Sequence, residues 1–464
     1  MHIKQDILNN FDIFPKVIVN GKKTTIRVLP LGGRQRFVPG GEYTLEISAL
    51  DGGNPKDFPA TGDFQTRKIV CDENGGFTFE HTFTGEQEFY IRFRGDDDRE
   101  IEEFSVYCVE KDLEGRYPFM GDLHMHTNLS DGHEDPETVA ANYRRYGYDF
   151  TVISDHGRYY PSLRAIECYK DVKTEFNIVP GEEVHLPPVY GKTNDVHIVN
   201  FGGEYSVNAV TEGVQVNEKG EDKKFRSLYG ECPDVLSYED YQAKMQALAD
   251  AADVPETVDA VPWAVCCWIF DEIRKANGLG IFAHPNWKRD AFHIPEKFTD
   301  YMMEKHPFDA FEVLGGERYF EHNGFQTARY YDERAKGHIF PIVGSTDSHS
   351  SYESNAGAFI CETIVFSPEN ERKALISSIR DFYSVAVDTI SKEFRLVGET
   401  RFIRYGCFLL KNYFPLHDEL CYEEGRLMKQ YVKGTPEEKE DAARTLAAIY
   451  GRMKKQREKY FDFD

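Results

Sequence analysis

Two histidines one residue apart, His124 and His126, stand in the stretch GDLHMHTNLSDG, with Asp122 before them and Asp131 after. Later stretches add Asp155 and His156 in ISDHG, Glu183 in PGEEVH, His197 in DVHIVNF, His284 in FAHP, and Asp347 with His349 in STDSH. Imidazole mixed with carboxylate, with no thiolate among them, suits zinc, manganese or iron; carboxylates alone would favour magnesium or calcium. So many good ligands exceed the needs of one four-coordinate ion. Two or three divalent ions sharing a bridging carboxylate fit better, and such centres hydrolyse phosphate esters.

The elements that must bring these groups together are short apolar runs. YPFMGDL leads into His124, DFTVIS into Asp155, NIVPG into Glu183, LGIFA into His284 and IFPIVGST into Asp347. Residues i and i+2 of a strand point to one side, so His124 with His126, and Asp347 with His349, can each aim two ligands at one point. From about residue 118 these runs alternate with helical stretches, such as PETVAANYRRYG and ARYYDERAKG, whose ends at Gly147, Gly278 and Gly337 carry the glycine signal of helix C-termini. The alternation predicts a mostly parallel sheet or barrel, whose C-terminal strand ends converge on one face. A stretch from about 203 to 275 interrupts it, first polar, as a loop or lid, then with two helical patterns.

Upstream, seven short runs rich in β-branched and aromatic residues, from KVIVNG to FSVYCV, are separated by GG, DGG, ENGG and GDDD turns. They predict a small all-β sandwich. From about 401 the tail reads as helical, with charge alternation typical of a solvated face. The expected organisation is a β-sandwich over 1–116, the site-bearing α/β domain over 117–395 with an insertion at 203–275, and a helical extension over 396–464.

The bulk composition narrows the function. With 464 residues, two or three domains are expected. The 79 acidic against 55 basic residues leave a formal charge of -24, which argues against a protein that tracks extended nucleic acid by neutralising phosphates. A small anionic substrate is still compatible, because local cations or metal ions can invert the field of one pocket. The N-terminus shows no secretory signal pattern, and no apolar stretch is long enough to cross a membrane. Nine scattered cysteines without a CxxC pair fit reduced core residues and a cytoplasmic location.

Taken in order, HMHTNLSDG, ISDHG, PGEEVH, HIVNFG, FAHP and STDSH resemble the motifs of the PHP family, the polymerase and histidinol phosphatase metallophosphoesterases, over about residues 118 to 390. The resemblance implies a distorted (β/α)7 barrel with a two- or three-metal centre. Carried over residue by residue, it implies nine ligands. His124, His126 and Asp347 would hold one ion, with Glu183 bridging to a second that His197 and His284 complete. Asp131, His156 and His349 would hold a third. Glu182 competes with Glu183, His185 with His197, and His133 with Asp131, which also sits where a turn aspartate is usual.

The activity so implied is hydrolysis of a small phosphorylated metabolite or nucleotide, with a hydroxide between two manganese, zinc or iron ions as nucleophile. The leaving group would take its proton from water, Asp155 or His349, while Asp155 could instead orient His156 or a water molecule. Arg158, Lys288, Arg289 and Arg318 flank the motifs and are the expected phosphate grips. The alternatives are a PHP-type nuclease acting on short nucleic acid, a non-catalytic metal- or partner-binding protein, and a hydrolase of C–N bonds. The oligomeric state is not legible.

Overall fold

The computed structural model of the chain describes residues 10–32, 37–52, 64–97, 99–212, 227–229, 231–288, 290–315, 320–352, 361–389 and 395–463. Two compact units divide it: 1–117 with 400–420 and 451–464, and 118–399 with 421–450.

The first unit is built on eight strands: β1 (Phe11–Phe14), β2 (Val17–Val19), β3 (Lys23–Pro30), β4 (Glu42–Ala49), β5 (Phe64–Val70), β6 (Phe77–Thr82), β7 (Gln87–Arg94) and β8 (Glu100–Val109). They form a three-stranded sheet, β1-β3-β6, and a five-stranded sheet, β2-β8-β7-β4-β5. Alternation decides which face is buried: β7 turns Phe89, Ile91 and Phe93 inward, and β3 turns Ile26 and Val28 inward. Both sheets bury these rows in one core, where the Phe77 and Phe93 rings stack at 4.2 Å. Helix α8 (Thr400–Asn412) belongs to this unit and stacks Tyr405 on Tyr107 at 5.0 Å.

The second unit is mixed α/β. Its strands are β9 (Tyr117–Asp122), β10 (Phe150–Val152), β11 (Asn177–Val179), β12 (Gly181–Glu183), β13 (Ile198–Phe201), β14 (Leu279–Phe282), β15 (Ala310–Leu314), β16 (Ile342–Gly344), β17 (Cys361–Ser367), β18 (Ser384–Asp388) and β19 (Arg395–Val397). They make two curled sheets, β11-β10-β9-β17-β18-β19 and β12-β13-β14-β15-β16. Helices α1 (Pro136–Arg145), α2 (Tyr160–Tyr169), α5 (Glu296–Lys305), α6 (Phe320–Lys336) and α7 (Arg372–Arg380) link successive strands, as the alternation predicts. The insertion contributes α3 (Tyr238–Ala251) and α4 (Ala260–Lys275), which bury Tyr241, Met245 and Trp268 in the unit's main core. Most of its polar first half, expected as a loop or lid, lies at 213–226, outside the described residues.

Strand direction departs from uniform parallel alternation. β9, β10 and β11 are parallel, as are β14, β15 and β16, but β13 runs antiparallel to both β12 and β14. Beyond the strands proper, backbone hydrogen bonds join the two sheets at one end. Asp347 N–H donates to His124 O (2.8 Å), His126 N–H to Ser348 O (2.8 Å), Ser154 N–H to Met125 O (2.9 Å), and Glu183 N–H to Ser154 O (3.0 Å). With Ser345 N–H on Leu314 O (2.9 Å), these bonds link the strand ends that carry the candidate ligands.

The C-terminal segment is helical, with α9 (Phe414–Lys433), α10 (Pro436–Ile449) and α11 (Arg452–Tyr460) following α8. Its residues are shared between the units. No helix among the described residues is long and apolar enough to cross a membrane.

Candidate metal centre

The hydrogen-bonded strand ends bring all nine expected ligands into one connected cluster. At its centre is Glu183, the last residue of β12 and fully buried. Its Oε2 lies 3.5 Å from both His124 Nε2 and His126 Nε2 and 2.6 Å from His156 Nδ1, while Oε1 lies 2.6 Å from His197 Nδ1. Asp347 faces the same space: Oδ1 is 2.9 Å from His126 Nε2 and 3.4 Å from His124 Nε2, and Oδ2 is 3.5 Å from His284 Nε2. Asp131 lies on the other side of His126, 3.4 Å from His156 Nε2 and 3.3 Å from His349 Nε2. The His126 ring lies 4.2 Å from that of His156 and 4.5 Å from that of His349, which are 6.2 Å from each other.

Local structure explains how each side chain is aimed. His124 and His126 extend β9, two residues apart on one side. The backbone of Asp347 is left-handed, with φ 50°, a conformation aspartate tolerates better than most residues. It lets the chain turn after β16 and point both Asp347 and His349 inward. His197 sits just before β13. Because β13 is antiparallel, that N-terminal end lies beside the C-terminal ends of β12 and β14. The 127–132 loop carrying Asp131 closes tightly, with Gly132 N–H on Thr127 O at 2.8 Å, and a Cβ on Gly132 would meet the His126 carbonyl oxygen at 2.7 Å.

The competing residues separate. Glu182 turns away from the cluster and accepts from Asn200 (3.2 Å), Ser206 (2.7 Å), Val207 N–H (2.5 Å) and Asn208 (2.8 Å). Those four bonds satisfy it as a structural acid. His185 does not drop out: its Nε2 is 2.9 Å from His156 Nδ1 and 3.7 Å from Glu183 Oε2, so it borders the cluster beside His197. His133 is exposed and enters none of the ligand groupings among the described residues.

Asp155 does not face the cluster as a proton donor. Its carboxylate accepts from Thr127 N–H (2.9 Å) and Oγ1 (2.8 Å) and from Ser130 N–H (3.0 Å) and Oγ (2.5 Å), so it pins the Asp131 loop. Asp122 has a similar holding role, accepting from Thr346 N–H (2.9 Å) and Oγ1 (2.5 Å). Lys288 is held by Glu321 at 2.5 Å rather than extended alone as a phosphate grip. Arg158 follows the cluster segment at Gly157 and is half-buried. Arg289 and Arg318 lie outside the described residues.

Six buried polar atoms of the cluster make no hydrogen bond: His124 Nε2, His126 Nδ1, both Glu183 oxygens, His197 Nδ1 and His284 Nε2. Buried polar groups are almost always paired, so convergent orphans of ligand type fit the binding of a cation. Four groupings of these residues hold their ligand atoms within 4.8 Å of one another: His124, His126 and Asp347; His124, Glu183 and His284; His126, Asp131, His156 and His349; and His156, Glu183 and His185. The first two are buried. The third is more open, with side-chain exposures of 53% at Asp131, 29% at His156 and 32% at His349.

Electrostatics agree with that division. Burial opposes charge on the His156 ring, but Glu183 and Asp131 outweigh it and push its pKa up to about 11. His349 is likewise pushed up to about 9 by Asp131 and Asp347 against the effect of burial. For His284 burial prevails over Asp347 and takes its pKa down to about 3, leaving a neutral ring suited to ligation. Burial acts against ionisation of Glu183 and Asp347, yet the surrounding histidines hold both carboxyls well below the usual range.

No protein-family model matches the sequence, and no curated protein matches it. Solved structures do resemble the chain. One is a two-domain protein of Bacteroides vulgatus with a predicted PHP-like metal-dependent phosphoesterase domain. It is 16% identical with a TM-score of 0.36, over 59% of this chain and 66% of that one, just under two thirds of its length. Another, from Bifidobacterium adolescentis and assigned as a metal-dependent phosphoesterase, is 17% identical with a TM-score of 0.32, over 56% of this chain and 94% of its own. These structural neighbours are PHP-like metal-dependent phosphoesterases. An amidohydrolase of Chromobacterium violaceum, solved with sulfate and without metal, is 16% identical with a TM-score of 0.31, over 51% and 89% of the two chains.

One residue that sequence reasoning passed over lies against the cluster. Glu312 of β15 is fully buried, 3.0 Å from His124 Nδ1. Its only signal in the sequence is an acid inside the apolar run AFEVL.

Proposed function

We propose that the chain is a metal-dependent phosphoesterase acting on a small phosphorylated metabolite or nucleotide, with two or three transition-metal ions of the manganese, zinc or iron class. The observation that carries this reading is the set of convergent, unpartnered ligand atoms around Glu183. His124, His126 and Asp347 would hold one ion, His197 and His284 a second, with Glu183 between them, and Asp131, His156 and His349 a third. The linked strand ends support a distorted seven-stranded (β/α) barrel as the frame.

Bound divalent ions supply Lewis acidity toward the phosphoryl oxygens and lower the pKa of water. The chain's own residues fix where that chemistry occurs. The exposed side of the cluster, at Asp131, His156 and His349, is where a phosphate would enter. His349 has Nδ1 engaged with the Asp347 carbonyl oxygen at 2.9 Å, so ligation and proton donation would compete for Nε2. A ring that ligates there has no proton to give from that atom, and Asp155 is occupied. Solvent therefore remains as the source of the leaving group's proton.

The excess of acidic residues disfavours long nucleic acid as substrate. A panel of phosphorylated metabolites and nucleoside monophosphates, with manganese, zinc and iron supplied separately, tests the reading. His124→Ala should abolish turnover of p-nitrophenyl phosphate, a loss of at least about a hundredfold. Full metal-dependent turnover in that variant would overturn the site.

A further inference from the structure

Glu312 lies outside the ligand set, yet its carboxylate touches two members of it. Its Oε2 is 3.0 Å from His124 Nδ1, and its Oε1 accepts the backbone N–H of His284 at 3.2 Å. The contacts join strand β15 to the ends of β9 and β14, and all three residues are buried. We propose that Glu312 is a positioning residue that fixes the His124 ring and the His284 backbone, so that both present Nε2 to the metal positions.

The argument for His124 is one of atoms. A carboxylate can only accept, so the neighbouring Nδ1 carries the hydrogen. Nε2 then offers its lone pair on the opposite edge, where it lies 3.5 Å from Glu183 and 3.4 Å from Asp347 and has no hydrogen bond of its own. Carboxylate support of this kind sets the orientation and basicity of a metal-binding imidazole. At His284, the ladder bonds stop one residue earlier, with Ala283 N–H on His197 O at 3.2 Å. The His284 backbone has φ 20°, at the edge of the left-handed region, and the bond to Glu312 holds that turn.

The residue is held at its backbone and packed at its tip. Gln326 donates to the Glu312 backbone carbonyl at 3.2 Å, and a Cβ at Gly315 would lie 2.1 Å from Oε1, so glycine there leaves the carboxylate its place. Glutamine at 312 would keep the shape but offer one accepting oxygen where two are used. Its NH2 group would face either the ring N–H or the backbone N–H, donor against donor. Glu312→Gln is therefore informative in a way that truncation to alanine is not.

The inference rests on the metal-binding part of the proposed function and not on its phosphoester chemistry, so its test reads no turnover. Zinc affinity is measured by chelator competition on the full chain, wild type and Glu312→Gln, with circular dichroism as the folding control. A tenfold to hundredfold loss is expected in the folded variant. Imidazole NMR of 15N-labelled wild type should show a solvent-protected proton on His124 Nδ1, with and without zinc, assigned against His124→Gln. Unchanged zinc affinity in folded Glu312→Gln would overturn the proposal, as would an unprotected Nδ1 in the wild type or a hydrogen on Nε2 in its zinc-loaded form. The wild-type spectrum decides the matter even if the variant does not fold. Wild type that binds no zinc but shows the protected Nδ1 proton would sink the metalloenzyme reading while leaving the Glu312–His124 pairing standing.

Discussion

His156 and His349 are the residues at which protons and metal must compete. Their pKa values, pushed up to about 11 and about 9, mean that both rings carry a proton at neutral pH when no cation is bound. Ligation requires the neutral ring, so metal entering the open position must release those protons. The sign follows directly. Apparent affinity rises with pH while the rings are protonated, by up to about a hundredfold per pH unit if two protons leave together, and the slope falls as pH passes about 9. Calorimetric titration of manganese between pH 6 and 8.5, in buffers of different ionisation enthalpy, reads the proton count. Affinity independent of pH over that range would contradict the assignment of these rings as ligands.

The inner and outer positions should respond differently to a change in one loop. Gly132 closes the 127–132 loop against the His126 carbonyl, and Asp155 pins the same loop through Thr127 and Ser130. Gly132→Ala should push Asp131 out of line and weaken the Asp131–His156–His349 position by about tenfold or more. The buried positions around Glu183 should keep their metal. Metal titration that shows one weakened class and one unchanged class is the expected outcome; equal weakening of every class would show that the loop does not serve the outer position alone.

At this scale of elements, what the sequence made legible follows from chain distance. His124 with His126 and Asp347 with His349 are pairs within one strand end, so spacing alone aimed them. The sandwich strands were legible because one face of each is wet and the alternation is visible, as in β7. The direction of β13 was not: its four residues, IVNF, are all buried, and such a run reads like those of its parallel neighbours. Glu312 was hidden for another reason. Its partner His124 is 188 residues away, and a lone acid in an apolar run says nothing about what it meets. Glu182 and Glu183 are neighbours of the same type, and only the bonds from Ser206, Val207 and Asn208 show which one turns away.

For the molecule as a whole, the tail does not behave as a separate extension. Residues 451–464 belong with the N-terminal unit, where Lys16 N–H donates to Tyr460 O at 2.7 Å, Asp462 N–H to Val17 O at 2.9 Å, and Thr24 Oγ1 to Asp462 at 2.6 Å. Tyr460, Phe461 and Phe463 are buried in it, and they cover the outer side of β2, which would otherwise be an open sheet edge. Deleting 451–464 should lower the melting temperature of the chain by more than about 5 °C, given about 2 kcal/mol for each buried aromatic. An unchanged thermal transition would show that the tail contributes nothing to that unit.

The metal centre is the claim on which the rest depends, and the metal content of the purified full chain tests it most directly. Inductively coupled plasma mass spectrometry should find two or more equivalents of tightly bound manganese, zinc or iron per chain, with His124→Ala retaining fewer. Less than one equivalent in the wild type, after growth with those metals supplied, would contradict it.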